Sequence, residues 1–122
     1  MGVYGIDLEN IMTDLITENF LNEERFARSY ARGKFRVKRW GRNRILRELK
    51  MRKISDYCIR KAMEEIEDQE YQSVLAAVLQ KKNGFLKEED LFKRRNKLAQ
   101  YAISRGFESE LVWTGVKELI PV

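Results

Sequence analysis

Phe20 to Ile54 reads FLNEERFARSYARGKFRVKRWGRNRILRELKMRKI. Its apolar residues recur at helical spacing in two runs, broken at Trp40-Gly41. In the first run, 22–35, Phe26, Ala27, Tyr30 and Ala31 form an inner stripe. Asn22 is the expected N-cap, with Glu23 and Glu24 in the first turn, where carboxylates complement the helix dipole. Arg25, Arg28 and Arg32 fall three and four residues apart on the opposite face. In the second run, 42–53, Ile45, Leu46 and Leu49 face inward and Arg44 and Arg47 face away. Gly41 suits the turn between them.

Outward from this stretch the pattern stays helical. Leu8, Ile11, Met12, Leu15 and Ile16 predict a helix over 7–19 with Asp7 as its cap. Ser55 or Asp56 starts another that runs to Ile66, with Ile59 and Met63 on its inner face. Further helices are expected near 69–82, 88–105 and 108–119, with Asn83-Gly84 and Ser104-Arg105-Gly106 as stop signals. One proline and seven glycines in 122 residues leave few breaks.

Sliding the chain against itself exposes a repeat. An offset of 53 places Arg42-Asn43 on Arg95-Asn96, Arg52 on Arg105, Ile54 on Phe107, and Ile59, Ala62, Met63 and Ile66 on Val112, Gly115, Val116 and Leu119. Upstream, an offset of 48 places Phe26, Ala27, Tyr30 and Lys34 on Val74, Leu75, Val78 and Lys82. The unit is three helices, and the second copy carries five more residues in its loop, expected over 83–94. The chain divides into 1–20, the last helix of a preceding repeat, and two repeats at 21–67 and 68–122. The copies share an apolar frame and differ in charge: Arg44, Arg47 and Lys50 become Lys97, Gln100 and Ile103.

That charge is concentrated. Residues 25–53 hold thirteen Lys or Arg and one acid, Glu48, while the remainder of a chain of net charge +5 is acidic. Solvated helices ordinarily intersperse signs, so an uncompensated block points to an anionic partner, either nucleic acid or an acidic protein surface. Trp40, among these cations, reads either as a stacking platform for a base or as an apolar plug between helices. Tyr101 and Trp113 read as core or interface.

Other chemistries find little support. The chain has no histidine and a single cysteine, Cys58; an internal disulfide, an ordinary zinc site and histidine acid–base catalysis are excluded. Cys58 reads as a small buried residue. Acid clusters at 23–24, 64–68 and 88–90 suit helix dipoles and a junction better than a metal nuclease. No glycine-rich phosphate loop or nucleophile motif occurs. No catalytic residue, metal, cofactor or small-molecule substrate is expected. The longest apolar run, VLAAVL at 74–79, is far too short to span a bilayer. MGVYGIDLEN lacks a signal-peptide pattern, and Ile6 stands where a myristoylation signal needs Ser or Thr. Cytoplasm is the expected compartment.

Phe20-Leu21-Asn22-Glu23-Glu24-Arg25-Phe26-Ala27, followed by Trp40-Gly41, Ile45-x-x-Glu48-Leu49, Arg52-Lys53-Ile54 and Arg105-Gly106-Phe107, resembles the RecX family, the regulators of the RecA recombinase. The resemblance covers residues 5–120. It implies an all-α protein of tandem three-helix repeats in an elongated, curved, right-handed array. Such a protein binds in the groove of the RecA filament and restrains its recombinase and ATPase activities without chemistry of its own. One departure is that most of the first of the family's usual three repeats is missing.

The expected contact residues for the RecA filament or DNA are Arg25, Arg28, Arg32, Lys34, Arg36 and Lys38, then Arg39, Trp40, Arg42, Arg44, Arg47 and Lys50. DNA binding is expected to be weak and independent of sequence, because the candidate reading helix offers Asn43 and then mostly Arg and Lys, which favour backbone contact over base readout. Two alternatives remain open at this point: a helix-turn-helix-like DNA-binding protein and a helical-repeat scaffold for acidic proteins.

Overall fold

The computed structural model describes the backbone of residues 2–122 and the side chains from Ile16 onward. Six helices follow in order: α1 (Gly2–Arg36), α2 (Arg42–Met51), α3 (Asp56–Met63), α4 (Asp68–Phe85), α5 (Leu91–Ser104) and α6 (Ser109–Leu119). The fold is all-α, with α1–α3 and α4–α6 as tandem three-helix units and no strand among the described residues.

The expected break before Asn22 is absent, and α1 runs through it. No Gly or Pro lies between Ile16 and Glu24, and an Asn inside a helix costs less than about 1 kcal/mol. Asp7 and Asn22 are therefore interior rather than caps. Glu23 instead accepts a hydrogen bond from the backbone N–H of Ser55 at 2.6 Å, and Glu24 pairs with Arg28. Ile16 is exposed; Leu8, Ile11, Met12 and Leu15 lie outside the described side chains.

The inner stripe of α1 is also rotated from expectation. Ala27, Ala31 and Phe35 are buried, whereas Phe26 is 45% exposed. The small residues let α3 approach closely and present Cys58, Ile59 and Ala62 to them, which swings Phe26 onto the flank against Tyr30. Ile45, Leu49, Leu98, Val112 and Val116 join the same continuous cluster. Among the described residues it contains no buried charged or polar side chain.

Helix ends follow capping chemistry. Ser55 caps α3, its hydroxyl accepting from the Cys58 N–H at 3.3 Å. Asp90 caps α5 through the Lys93 N–H at 2.9 Å. The expected stop at Asn83-Gly84 is overrun by α4. Arg94 receives the freed end: it donates to the Asn83 side chain at 2.7 Å and to the carbonyls of Asn83, Leu86 and Glu88 at 2.5, 3.1 and 2.7 Å. The connection thereby shrinks to residues 86–90, and the extra residues of the second copy lengthen α5 to 14 residues against 10 in α2.

The second helix of each unit ends in the same motif, 53 positions apart. Lys53 (φ 59°) and Gly106 (φ 103°) occupy the left-handed region. The N–H groups of Lys53 and Ile54 bond the carbonyls of Lys50 and Leu49, and those of Gly106 and Phe107 bond Ile103 and Ala102. Both are Schellman closures, which favour glycine at this position. The first unit tolerates lysine because Lys53 is exposed. In the second, a Cβ on Gly106 would be driven into Arg44.

The units meet at that glycine. The Gly41 N–H bonds the Arg105 carbonyl at 2.8 Å, and the Asn43 N–H bonds the Gly106 carbonyl at 2.9 Å. Gly41 has an ordinary φ of −77°. What demands glycine is space, since a Cβ there would enter the backbone of Gly106 and Phe107. Gly41→Ala and Gly106→Ala should each destabilise the chain by about 2 kcal/mol or more through overpacking and, at 106, backbone strain. Lys53→Gly, in the same motif but away from the seam, should be neutral or stabilise by up to about 1 kcal/mol. Urea unfolding of the three variants checks this contrast.

Candidate functional site

The basic block separates into two populations. On α1, Arg28 lies 3.2 Å from both Glu24 and Glu65 and 3.9 Å from Glu64; Arg32 lies 3.5 Å from Glu65, and Arg36 3.3 Å from Glu70. The hydrogen bond to Glu65, and then that to Glu24, raise the Arg28 pKa above its ordinary value against the opposing effect of burial. Arg42 pairs with Asp68 at 2.6 Å and Glu108 at 3.2 Å. The acidic junction 64–70 thus neutralises the arginines that face it. These four are tied into the fold.

Arg25, Lys34, Lys38, Arg39, Arg44, Arg47 and Lys50 have no carboxylate partner among the described residues. Arg44, Arg47 and Lys50 share α2, where helical spacing places them along one surface beside Asn43 and Met51. Arg47 and Lys50 are exposed; Arg44 is half-buried because it stacks.

The ring it stacks on is Trp40. The Arg44 guanidinium stands 4.0 Å from the indole centre and the Lys34 ammonium 4.8 Å. Trp40 packs on the core and meets Tyr30 edge-on at 6.5 Å. Trp40 thus packs between helices as a plug, with its ring engaged by both cations.

Each unit holds a tyrosine between an equivalent Lys and Arg. Lys34 and Arg52 lie 5.5 and 4.8 Å from the Tyr30 ring. Their counterparts Lys82 and Arg105 lie 4.7 and 5.8 Å from Tyr101. The repeat offsets align both cation pairs, so this recurrence is legible in the sequence; the tyrosine is not, since it comes from α1 in one unit and α5 in the other.

The seam beside Gly41 is built around Tyr71, whose role periodicity alone does not reveal. Its ring is fully buried, 5.7 Å from Phe35 and 5.3 Å from Phe107. Arg42 stacks 3.9 Å from the ring centre. The hydroxyl accepts the Arg42 backbone N–H at 3.0 Å and donates to the Glu108 carboxylate, which also receives the Arg42 guanidinium. Arg42 and Glu108 thereby start α2 and α6 in fixed relation, and α2 carries the unpaired cations.

A tandem array of three-helix units with a cationic second helix in the first unit defines a helical-repeat protein. Similarity to known proteins places it more narrowly. The family models described as RecX, second three-helix domain, and RecX, third three-helix domain, match residues 22–63 and 68–114. The regulatory protein RecX of Prosthecochloris aestuarii is 34% identical over 113 residues, covering 93% of this chain and 72% of that protein. The regulatory protein RecX of Clostridium botulinum is 28% identical over 125 residues, covering 98% of this chain and 58% of that protein. No solved structure gives a significant match. The chain belongs to the RecX family. No helix among the described residues is long and apolar enough to cross a membrane.

The seam predicts a pH signature. Burial, and then the hydrogen bond to Glu108, push the Tyr71 pKa well above 10.0, against a smaller opposing pull from the Arg42 N–H. The folded pKa exceeds the unfolded one, so the contribution of the neutral hydroxyl is complete below about pH 10 and is lost as pH rises toward the folded value. Tyr71→Phe should cost about 1–3 kcal/mol at pH 7 by leaving the Arg42 N–H without its acceptor and removing one of the two donors to Glu108. The gap between parent and variant should narrow above pH 10, as measured by urea unfolding across pH.

Proposed function

We propose that this chain binds the RecA filament and restrains its recombinase and ATPase activities in DNA repair and recombination, in the cytoplasm and by binding alone. Membership of the RecX family supports the class of function. The observation that carries the contact is the α2 surface of Arg44, Arg47 and Lys50. It is cationic, free of carboxylate partners and set in place by a seam that orders α2. The further proposal is that Arg28, Arg32, Arg36 and Arg42 serve this surface by holding the helices rather than by touching the partner. Residues 21–67 and 68–122 are read as the two working repeats, and 1–20 as the contribution of a preceding one, joined to the first through the unbroken α1.

DNA is the secondary partner in this reading, bound weakly and without regard to sequence. Phosphate contacts by Arg and Lys supply affinity and carry no base code. The helix-turn-helix alternative needs short polar side chains aimed at base edges, and α2 offers Asn43 alone. The acidic-protein scaffold alternative differs in requiring no filament.

The test is ATP hydrolysis by RecA on single-stranded DNA, with variants titrated in. Arg47→Glu/Lys50→Glu should retain the melting behaviour of the parent, since exposed substitutions usually change stability by no more than about 0.5 kcal/mol each. It should lose restraint of hydrolysis by tenfold or more in the concentration required. Gln100→Glu, at the position of the second repeat equivalent to Arg47, should behave as the parent. If Arg47→Glu/Lys50→Glu restrains hydrolysis as well as the parent does, α2 is not the contact.

A further inference from the structure

A second group of cations joins Lys38 and Arg39 of the basic block to Lys81, Lys82 and Arg105 from the second repeat. A cleft of about 590 Å3 opens between the segment after α1 and the last turns of α4 and α5, a size typical of ligand clefts. Lys38, Arg39, Lys81, Lys82 and Arg105 line it, with Tyr101 at its wall and Phe85 beside them, and no carboxylate does. Arg105 donates to the Lys38 carbonyl, which ties the two units together across the cleft. Its Nε–H is the one buried side-chain donor without an acceptor among the described residues. Phe85 is 73% exposed, while the Tyr101 ring is already engaged by Lys82 and Arg105.

A structural reading accounts for part of this charge. Three helices, α1, α4 and α5, end at the cleft, and cations favour helix C-termini. Each terminus carries about half a negative charge, roughly −1.5 for three. Five cations leave a surplus of about +3.5 with no acid to absorb it. A surplus of that size held in a concave site focuses potential on an anionic ligand.

We propose that this cleft is a binding site for single-stranded nucleic acid, with the phosphate chain along Lys38, Lys81 and Lys82 and an unstacked base on Phe85. The assignment deepens the DNA part of the functional reading and is independent of the filament part. Lysine ammonium groups and arginine forks both bind phosphate, so the five cations suit a phosphate chain. The exposed phenyl ring separates single strands from other polyanions. A duplex keeps its bases stacked inside, and an acidic peptide brings no planar ring, whereas a splayed base can stack on Phe85. The site differs from the α2 surface in its residues and in belonging to both repeats.

The test uses the whole chain, without RecA, and fluorescence anisotropy of labelled oligo(dT), with a duplex of equal length and polyglutamate as competitors. Lys81→Gln/Lys82→Gln should weaken oligo(dT) binding about tenfold and flatten the slope of log K against log salt by about 1.4, or about 0.7 for each phosphate no longer neutralised. Phe85→Ala should weaken oligo(dT) by about fivefold or more and leave duplex affinity unchanged. Lys93→Gln/Lys117→Gln, with the same change in net charge away from the cleft, should bind as the parent does. The proposal is overturned if Lys81→Gln/Lys82→Gln binds oligo(dT) as the parent does or no worse than Lys93→Gln/Lys117→Gln. It is also overturned if Phe85→Ala leaves oligo(dT) affinity unchanged, or if the duplex or polyglutamate displaces labelled oligo(dT) as well as unlabelled oligo(dT) does. A parent that binds no oligo(dT) at all removes the DNA part of the functional reading with the cleft and leaves filament binding standing.

Discussion

Gly41 meets the Gly106–Phe107 backbone with no side chain between them, and the relation of one three-helix unit to the other depends on that contact. A buried interface made of backbone must satisfy its N–H and C=O groups, and this one does so through the Gly41–Arg105 and Asn43–Gly106 hydrogen bonds. Tyr71, Arg42 and Glu108 then close the flank with one hydroxyl, one carboxylate and one guanidinium that satisfy one another. The same seam begins α2 and ends α5, so the positions of the α2 cations and of the cleft beside Arg105 both derive from it.

The seam is specific to this pair of units. The positions in the first unit that correspond to Gly106 and Glu108 hold Lys53 and Ser55, and the counterpart of Tyr71 is Glu23. Glu23 bonds Ser55 within its own unit. Arg94 stands where the second unit would need the counterpart of Gly41, and its guanidinium is spent on Asn83, Leu86 and Glu88. The repeat therefore shares its Schellman closures and apolar frame without carrying the docking chemistry to its outer faces.

Much of the frame is legible in the chain. The offset of 53 between Lys53-Ile54 and Gly106-Phe107, the Ser55 cap, and the burial of Ile45, Leu49, Ile59 and Val112 all follow from local spacing and capping rules. What stays hidden depends on distance along the chain. Gly41 reads locally as a turn, but its reason is a backbone 65 residues away. Of the Arg25, Arg28 and Arg32 stripe, Arg28 and Arg32 read as free surface because Glu65, which pairs with both, arrives from beyond α3, as Glu70 does for Arg36. Periodicity puts Phe26 inside because a large apolar residue outranks alanine in such a count, whereas close helix packing selects the alanines. The cleft is invisible in the chain because Lys81, Lys82 and Arg105 are ordinary in number where they stand and unusual only once folded beside Lys38 and Arg39.

The central claim is that unpaired and paired bases of the first repeat have different duties, and lysine footprinting separates them without any substitution. Acetylation rates measured for the free chain and for the chain on RecA filaments report which ammonium groups become covered. The account predicts strong protection of Lys50 on α2, with Lys61, paired to Glu64 on α3, and Lys97, paired to Glu88 on α5, labelled at unchanged rates. Protection of Lys61 with Lys50 labelled equally in both states would contradict it.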